Sequence, residues 1–265
     1  MNNFAKKWPK ITAIISDLDG VTYCGEKPIE SAVKSFRLWS DIGVPYAFVT
    51  NNSTKSAEEF SIKLNSMGIP TNPKRIITSS SVAAQRLNTI LKPESRVMVI
   101  GEEALINAVA EYNYTIANEN VEAVIVGLDR SFSHEKLTKA QTALLNGAHF
   151  IGTNPDPMLP KDGGFEPGAG SILKAIEIAS GVKPIIVGKP KPDLVEMALS
   201  VLETERESTF MLGDQIMTDI MAGYETGLQT IRVRTGVIEK GPTPIKPDFD
   251  IESLECIPLT AFNTK

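Results

Sequence analysis

Two aspartates stand two residues apart in Asp17-Leu18-Asp19-Gly20, directly after a short apolar run. Thr50-Asn51-Asn52 follows Tyr46-Ala47-Phe48-Val49. Lys189 lies between Gly188 and Pro190, and Asp214 comes after Phe210-Met211-Leu212-Gly213, with Asp219 further on. Clustered carboxylates repel one another unless a cation neutralises them. Hard oxygen ligands favour Mg2+, which keeps several waters and often takes a substrate phosphate too. A threonine hydroxyl and two asparagine amides near a helix start suit phosphate oxygens, and a lysine adds positive charge. Such a set is equipped for phosphoryl transfer. A carboxylate can attack phosphorus to give an aspartyl-phosphate that water then hydrolyses. In that chemistry Asp17 is the nucleophile. Asp19 protonates the leaving alcohol and afterwards deprotonates the hydrolytic water. Mg2+ and Lys189 screen the repulsion between carboxylate and phosphate. No histidine is required, and His134 and His149 lie outside the set.

These residues work together only if the chain brings them to one place. Ile11 to Ile15 reads as a buried strand, as do Tyr46 to Val49, Val97 to Ile100, Ala123 to Val126, Ile185 to Val187, Phe210 to Leu212 and Thr230 to Val233. Between them lie helical stripes. Val33, Phe36 and Trp39 share one face. Ser56 and Glu59 match a capping box ahead of Phe60, Leu64 and Met67. Leu105 to Tyr112, Glu135 to Leu145, Ser171 to Ala179 and Val195 to Leu202 predict further helices, and Ser79-Ser80-Ser81 reads as a helix start. From about Gly241 the chain is proline-rich. It then turns apolar around Ile251 to Leu259, which predicts a last strand or helix followed by a frayed tail. The alternation predicts a mainly parallel sheet covered by helices on both faces. In such sheets ligands bind outside the carboxyl ends of the strands. Asp17, Asp19, Thr50, Lys189 and Asp214 each follow a predicted strand, so the reading places them at one sheet edge.

Composition narrows the setting. With 27 Lys+Arg against 32 Asp+Glu the formal net charge is -5 and no basic cluster occurs. Nucleic acid and anionic membrane surfaces are therefore not the expected partners. No apolar run approaches the ~20 residues of a membrane span. Two cysteines, Cys24 and Cys256, argue against a disulfide framework and point to a reducing, cytoplasmic compartment. Cys24 reads as a packing residue. Val33, Trp39, Met67 and Leu199 read as core. Gly168-Ala169-Gly170-Ser171 lacks a complete dinucleotide or P-loop fingerprint and reads as a turn facing the substrate.

Asp17-Leu18-Asp19-Gly20-Val21 resembles the first motif of the haloacid dehalogenase superfamily. Thr50-Asn51-Asn52-Ser53 resembles its second motif in the form used by the nitrophenylphosphatase-like (NagD-type) branch. Gly188-Lys189-Pro190 resembles the third, and Gly213-Asp214-Gln215-Ile216-Met217-Thr218-Asp219-Ile220 the fourth. The likeness runs from about Ile11 to Gly236. It implies an α/β fold: a Rossmann-like parallel-sheet core from residues 1–80 and 184–265, with an α/β cap domain inserted over 81–183 to select the substrate. It implies Mg2+ bound by Asp17, the Asp19 main-chain carbonyl and Asp214, with Asp219 acting near the metal. Thr50, Asn51 and Lys189 would hold the phosphate, with Asn52 as a further contact. Asn154 and Asp156, in Thr153-Asn154-Pro155-Asp156, resemble substrate-facing positions of the cap. Leu159 stands where relatives specialised for pyridoxal phosphate place a histidine, which counts against that substrate. Gln215-Ile216-Met217 departs from the charged residues many relatives carry in the fourth motif, yet leaves both acids in place.

The expected activity is Mg2+-dependent hydrolysis of small phosphate monoesters. The candidates are phosphoglycolate, glycerol phosphate, sugar phosphates and nucleoside monophosphates, with aryl phosphates in vitro. A phosphomutase on the same core is the competing expectation. A phospho-receiver module fits poorly, being about half this length. The expected partner is a small-molecule phosphate ester, with no nucleic acid and no membrane. The resemblance adds a homodimer through the cap.

Overall fold

The computed structural model describes residues 8–161, 164–237 and 243–262. Its main sheet has six strands in the order Phe249–Ile251, Gln229–Val233, Thr209–Gly213, Ala13–Ser16, Tyr46–Thr50, Ile76–Thr78. All neighbours run parallel. The chain therefore starts in the middle, builds outward to one edge, and crosses back to build the other half. The reversal falls between Ala13–Ser16 and Thr209–Gly213. It is the topological switch point, where doubly wound sheets open a ligand crevice. Ala13–Ser16 and Thr209–Gly213 are buried along their whole length. That is why both sequences read as unbroken apolar runs rather than alternating ones.

A second sheet has five strands in the order Ile185–Ile186, His149–Gly152, Ala123–Val126, Arg96–Ile100, Thr115–Ile116, again all parallel. The fold is thus a parallel-sheet α/β core carrying an inserted α/β unit, as expected. One expectation is corrected. Ile185–Ile186 pairs with His149–Gly152 and so belongs to the second sheet, not to the main one. Two residues decide this strand, and nothing in an apolar pair states which sheet it joins. By sheet membership, the division falls just after Ile186.

The helices follow their predicted stripes. Glu30–Asp41 buries Ala32, Phe36 and Trp39. Ala57–Ser66 begins at a complete Ser56–Glu59 capping box, a feature typically worth about 1 kcal/mol. Ser79–Leu87 starts at a second box formed by Thr78 and Ser81. Of the predicted core residues, Trp39 and Leu199 are buried, while Val33 and Met67 pack half-buried against the core. A single apolar cluster passes from Ile15, Val49 and Met211 of the main sheet through Ala83, Leu87 and Val195 to Val97, Ile125 and Ile151 of the second. Each of its Ile, Leu, Val and Met side chains removed from water contributes about 1.5–3 kcal/mol before entropy is charged against it. The two sheets are therefore joined by packing as well as by the chain. The last predicted element is the strand Phe249–Ile251, followed by short helical turns at Leu254–Cys256 and Leu259–Ala261. The tail beyond Phe262 lies outside the described residues. Among the described residues no helix is long and apolar enough to cross a membrane.

Candidate active site

Asp17 is the first residue after Ala13–Ser16, and Asp214 the first after Thr209–Gly213, so the two acids flank the switch point. With Asp219 they can each present a carboxylate oxygen within 4.8 Å of the others, and all three are buried. Lys189 is also buried. Its Nζ lies 2.5 Å from Asp17 Oδ1 and 2.7 Å from Asp219 Oδ1. Three acids and one lysine leave the cluster with excess negative charge when every acid is ionised. Burial pushes Asp17 up to about 7, with Lys189 pulling the other way and Asp219 adding to the rise. Burial likewise pushes Asp214 up to about 8, helped by Asp219 and Asp17. Burial opposes the charge of Lys189, but Asp17 and Asp219 more than offset it and hold the ammonium above its ordinary value.

Asp219 is fully employed. Besides Lys189, its Oδ2 accepts from the main-chain N–H of Asp214 at 3.2 Å and of Gln215 at 3.0 Å. It sits in a π-helical turn, Ile216–Ile220, that leads into the helix Met221–Glu225. Asp214 is only half satisfied. Its Oδ2 accepts from Val237 N–H at 2.7 Å, while its Oδ1 is buried with no hydrogen-bond partner. An orphaned carboxylate oxygen beside two further acids is the donor set of a hard divalent cation. The residues present fit such an ion.

Two glycines make room for this carboxylate. Gly20 has φ +82°, and a Cβ there would lie 2.4 Å from Asp214 Oδ2. A Cβ on Gly236 would lie 2.1 Å from the same oxygen. The Thr235-Gly236-Val237 loop also binds the first motif, since Thr235 Oγ1 donates to the Gly20 carbonyl at 2.7 Å. Sequence reading missed this loop as part of the site. The signal was present, because the loop follows the predicted strand Thr230 to Val233, at the same sheet edge as the others.

Thr50 ends the strand Tyr46–Thr50, and Asn51 and Asn52 follow it. Thr50 Oγ1 accepts from Asn52 N–H at 3.1 Å, and Asn52 Oδ1 accepts from Thr54 N–H and Oγ1, each at 2.8 Å. Asn51 is a clasp. Its Nδ2 donates to Asp156 Oδ2 and to the Lys189 carbonyl, each at 3.0 Å. Its own carbonyl accepts from Asn154 Nδ2 and from Ser79 Oγ, each at 2.7 Å. Both amide hydrogens of Asn51 are therefore engaged with protein. Burial raises Asp156, against the hydrogen bond from Asn51.

All ten predicted site residues line one cavity of about 510 Å³. Lys189 reaches it from the segment that leaves the second sheet, so its approach differs from that expected. Asp19 opens on to the cavity and keeps contact with solvent, while burial of the surrounding wall raises its carboxyl and Lys63 opposes the rise. Cys24 also lines the cavity and is exposed, so the packing role expected for it does not hold. Leu128, Met158 and Phe165, which the sequence did not announce, join Leu159 in an apolar wall.

A family model for haloacid dehalogenase-like hydrolases matches residues 14–115, and a HAD-hydrolase-like model matches residues 186–256. The 5'-nucleotidase YutF of Bacillus subtilis is 41% identical over 246 residues, covering 91% of this chain and 96% of the relative. The crystal structure of a double-mutant thermostable NPPase from Geobacillus stearothermophilus superposes with a TM-score of 0.88 at 39% identity, covering 93% of this chain and 98% of the other. The glycerol phosphate phosphatase Rv1692 of Mycobacterium tuberculosis, solved in complex with magnesium, gives a TM-score of 0.80 at 33% identity, covering 86% and 69%. The chain belongs to the haloacid dehalogenase-like hydrolases. Within them it is a phosphatase, a hydrolase of phosphate esters.

Proposed function

We propose that this phosphatase is Mg2+-dependent and hydrolyses small phosphate monoesters through an aspartyl-phosphate on Asp17. The observation that carries the reading is the Asp17–Lys189 pair at 2.5 Å beside the orphaned Asp214 oxygen, at the switch point of the main sheet. Asp17, the Asp19 main-chain carbonyl and Asp214 would hold the ion. Asp219, whose oxygens already accept from Lys189 and two main-chain N–H groups, would reach it through water. When bound, Mg2+ supplies charge that neutralises phosphate oxygens and the attacking carboxylate.

The chain's own residues do the rest. Asp17 directs a carboxylate oxygen at phosphorus, and the P–O bond to the alcohol breaks. Asp19 gives its proton to that leaving oxygen and then takes one from the water that cleaves the acyl phosphate. A carboxyl raised by its surroundings and open to the cavity suits both transfers. Lys189 remains charged and offsets the negative charge gathering on the phosphoryl oxygens. Thr50 Oγ1 has its hydroxyl hydrogen left for a phosphate oxygen. Because both Asn51 amide hydrogens have acceptors, its contact with phosphate would run through the main chain. Residues 81–183 act as a cap that selects the alcohol. Two exposed, unpaired cysteines accord with a cytoplasmic setting.

The test is phosphate release from a panel of monoesters with Mg2+. Asp17→Asn is expected to lower kcat by at least about a thousandfold, as removal of a nucleophile does. Unchanged turnover in that variant, or no release from any ester by the native chain, sinks the reading.

A further inference from the structure

We propose that Lys63 is a positioning residue for the proton transfers at Asp19. It holds the turn of the hairpin that follows the first motif, so that the main chain of the turn stays against the Asp19 side chain. This rests on the phosphatase reading above, in which Asp19 is the acid and the base, and extends the site to a residue on the helix behind it.

The hairpin pairs Tyr23–Cys24 with Lys27–Pro28 and turns at Gly25 and Glu26. It leaves the first motif with little slack. Gly20 N–H donates to the Tyr23 carbonyl at 2.8 Å, and Thr22 Oγ1 donates to the Leu18 carbonyl at 2.7 Å. Gly25 takes a left-handed φ of +60°, which glycine adopts without strain. Tyr23, Cys24 and Gly25 line the cavity beside Asp19. Burial raises the Asp19 carboxyl. Lys63 opposes that rise, and so do the main-chain N–H groups of Gly20 and Gly25, which face the carboxyl.

A lone two-stranded hairpin is barely stable in water and needs support from elsewhere. Lys63 supplies it from the helix Ala57–Ser66, which follows the second motif. Its Nζ donates to the Gly25 carbonyl at 2.7 Å and to Glu26 Oε1 at 3.0 Å, and stands 4.0 Å from the centroid of the Tyr23 ring. A helical lysine ordinarily carries its ammonium out to water. The Lys63 side chain is instead only 14% exposed, turned on to a carbonyl and a ring of one hairpin. Glu26 is 82% exposed, so its pair with Lys63 adds little. The carbonyl and the ring carry the hold. Gly25 thus has Lys63 on its carbonyl and Asp19 before its N–H, and a shift of the turn moves the groups around the proton donor.

The test uses the leaving group. The alcohol of glycerol 3-phosphate must be protonated as it departs, so its ester needs Asp19 as acid. p-Nitrophenolate is a stable anion and departs without that proton. Because kcat/KM covers only the steps up to loss of the alcohol, it reads the acid role apart from the later base role. Lys63→Met is expected to lower kcat/KM for glycerol 3-phosphate roughly tenfold and to leave p-nitrophenyl phosphate within about twofold. The retained aryl turnover also shows that the variant is folded. Lys63→Arg, which keeps the charge, should recover most of the loss. Asp19→Asn should show the same selectivity in larger measure, about a hundredfold. An equal loss on both esters in Lys63→Met, or no loss on either, overturns the inference and leaves the phosphatase reading standing. No selectivity in Asp19→Asn, or no release from any ester by the native chain, defeats that reading instead.

Discussion

The two parallel sheets carry different cargo at their carboxyl ends. The main sheet delivers Asp17, Thr50 and Asp214. The second delivers Leu128 after Ala123–Val126, Asn154 and Asp156 after His149–Gly152, and Lys189 after Ile185–Ile186. All of them line one cavity. The main sheet thus supplies the three clustered acids, and the other supplies the counter-charge, one further acid in Asp156, and apolar surface. The lesson is electrostatic. Asp17 and Asp219 are buried at 2.5 and 2.7 Å from a lysine that does not arise from their own sheet. Neither sheet holds a complete site by itself. The Asn51 clasp, which binds Asp156 and the Lys189 carbonyl, fastens the seam beside the reacting groups.

The sharpest way to break this division is to remove its shared cation. Lys189→Met should lower kcat/KM by roughly two to three orders of magnitude. It should also destabilise the fold by about 3–5 kcal/mol, because two carboxylates lose their buried partner. Denaturant titration reads the second effect. An activity no lower than that of a surface variant would show that the main sheet is sufficient alone.

A smaller effect follows from the raised acids. In chelated protein Asp17 and Asp214 stand at about 7 and about 8, against an ordinary value of 3.8. Between those limits the folded state holds more protons than the unfolded one, so stability must fall as pH rises. The contribution is complete below pH 3.8 and is lost through pH 7 to 8. Lys189, raised above 10.5, is charged in both states over that window and adds no slope. The melting temperature in EDTA should therefore drop between pH 5 and 8, and Mg2+ should restore it most at the upper end. A flat profile in EDTA would mean that the cluster is compensated without a cation. Mg2+ affinity should rise over the same interval, since the ligands must shed protons first.

The smallest effect concerns the anchor of a second hairpin, Met158–Lys161 paired with Gly164–Pro167, whose exposed Met158 and Phe165 line the cavity. Arg130→Ala removes half-exposed pairs with Glu166 and Glu102. It should cost less than about 1 kcal/mol and leave glycerol 3-phosphate turnover unchanged within about twofold. A large loss on that substrate would make the second sheet a partner in the chemistry rather than in selection.

Much of this arrangement was legible beforehand. Asp17, Thr50 and Asp214 stand at the ends of fully buried strands, and unbroken apolar runs of that kind are hard to mistake. Lys189 was found by its motif, yet its strand was assigned to the wrong sheet, because Ile185–Ile186 is a short edge pair whose partner is decided by tertiary packing. Ile76–Thr78 and His149–Gly152 went unread as strands, since the first has three residues and the second has only Phe150 and Ile151 between a histidine and a glycine. The hairpin that carries Phe165 was invisible for another reason. Its exposed face is apolar and it contains Pro160 and Pro167, so it shows neither the alternation of a half-buried strand nor ordinary strand composition. Thr235-Gly236-Val237 was overlooked because it carries no acid. Its contribution is a main-chain N–H and a missing side chain.

The main sheet closes only after the chain has passed through the second. Asp17 meets Lys189 across 172 residues of sequence, and Asp214 comes later still. During synthesis the ribosome thus releases the nucleophile early, and its partners follow well after. A nascent chain that ends at Ile186 has the first half of the main sheet and all five strands of the second. It has no lysine to neutralise Asp17 and no Asp214. Long-range closure of this kind folds late and slowly. Catalytic competence is therefore withheld until nearly the whole chain has emerged.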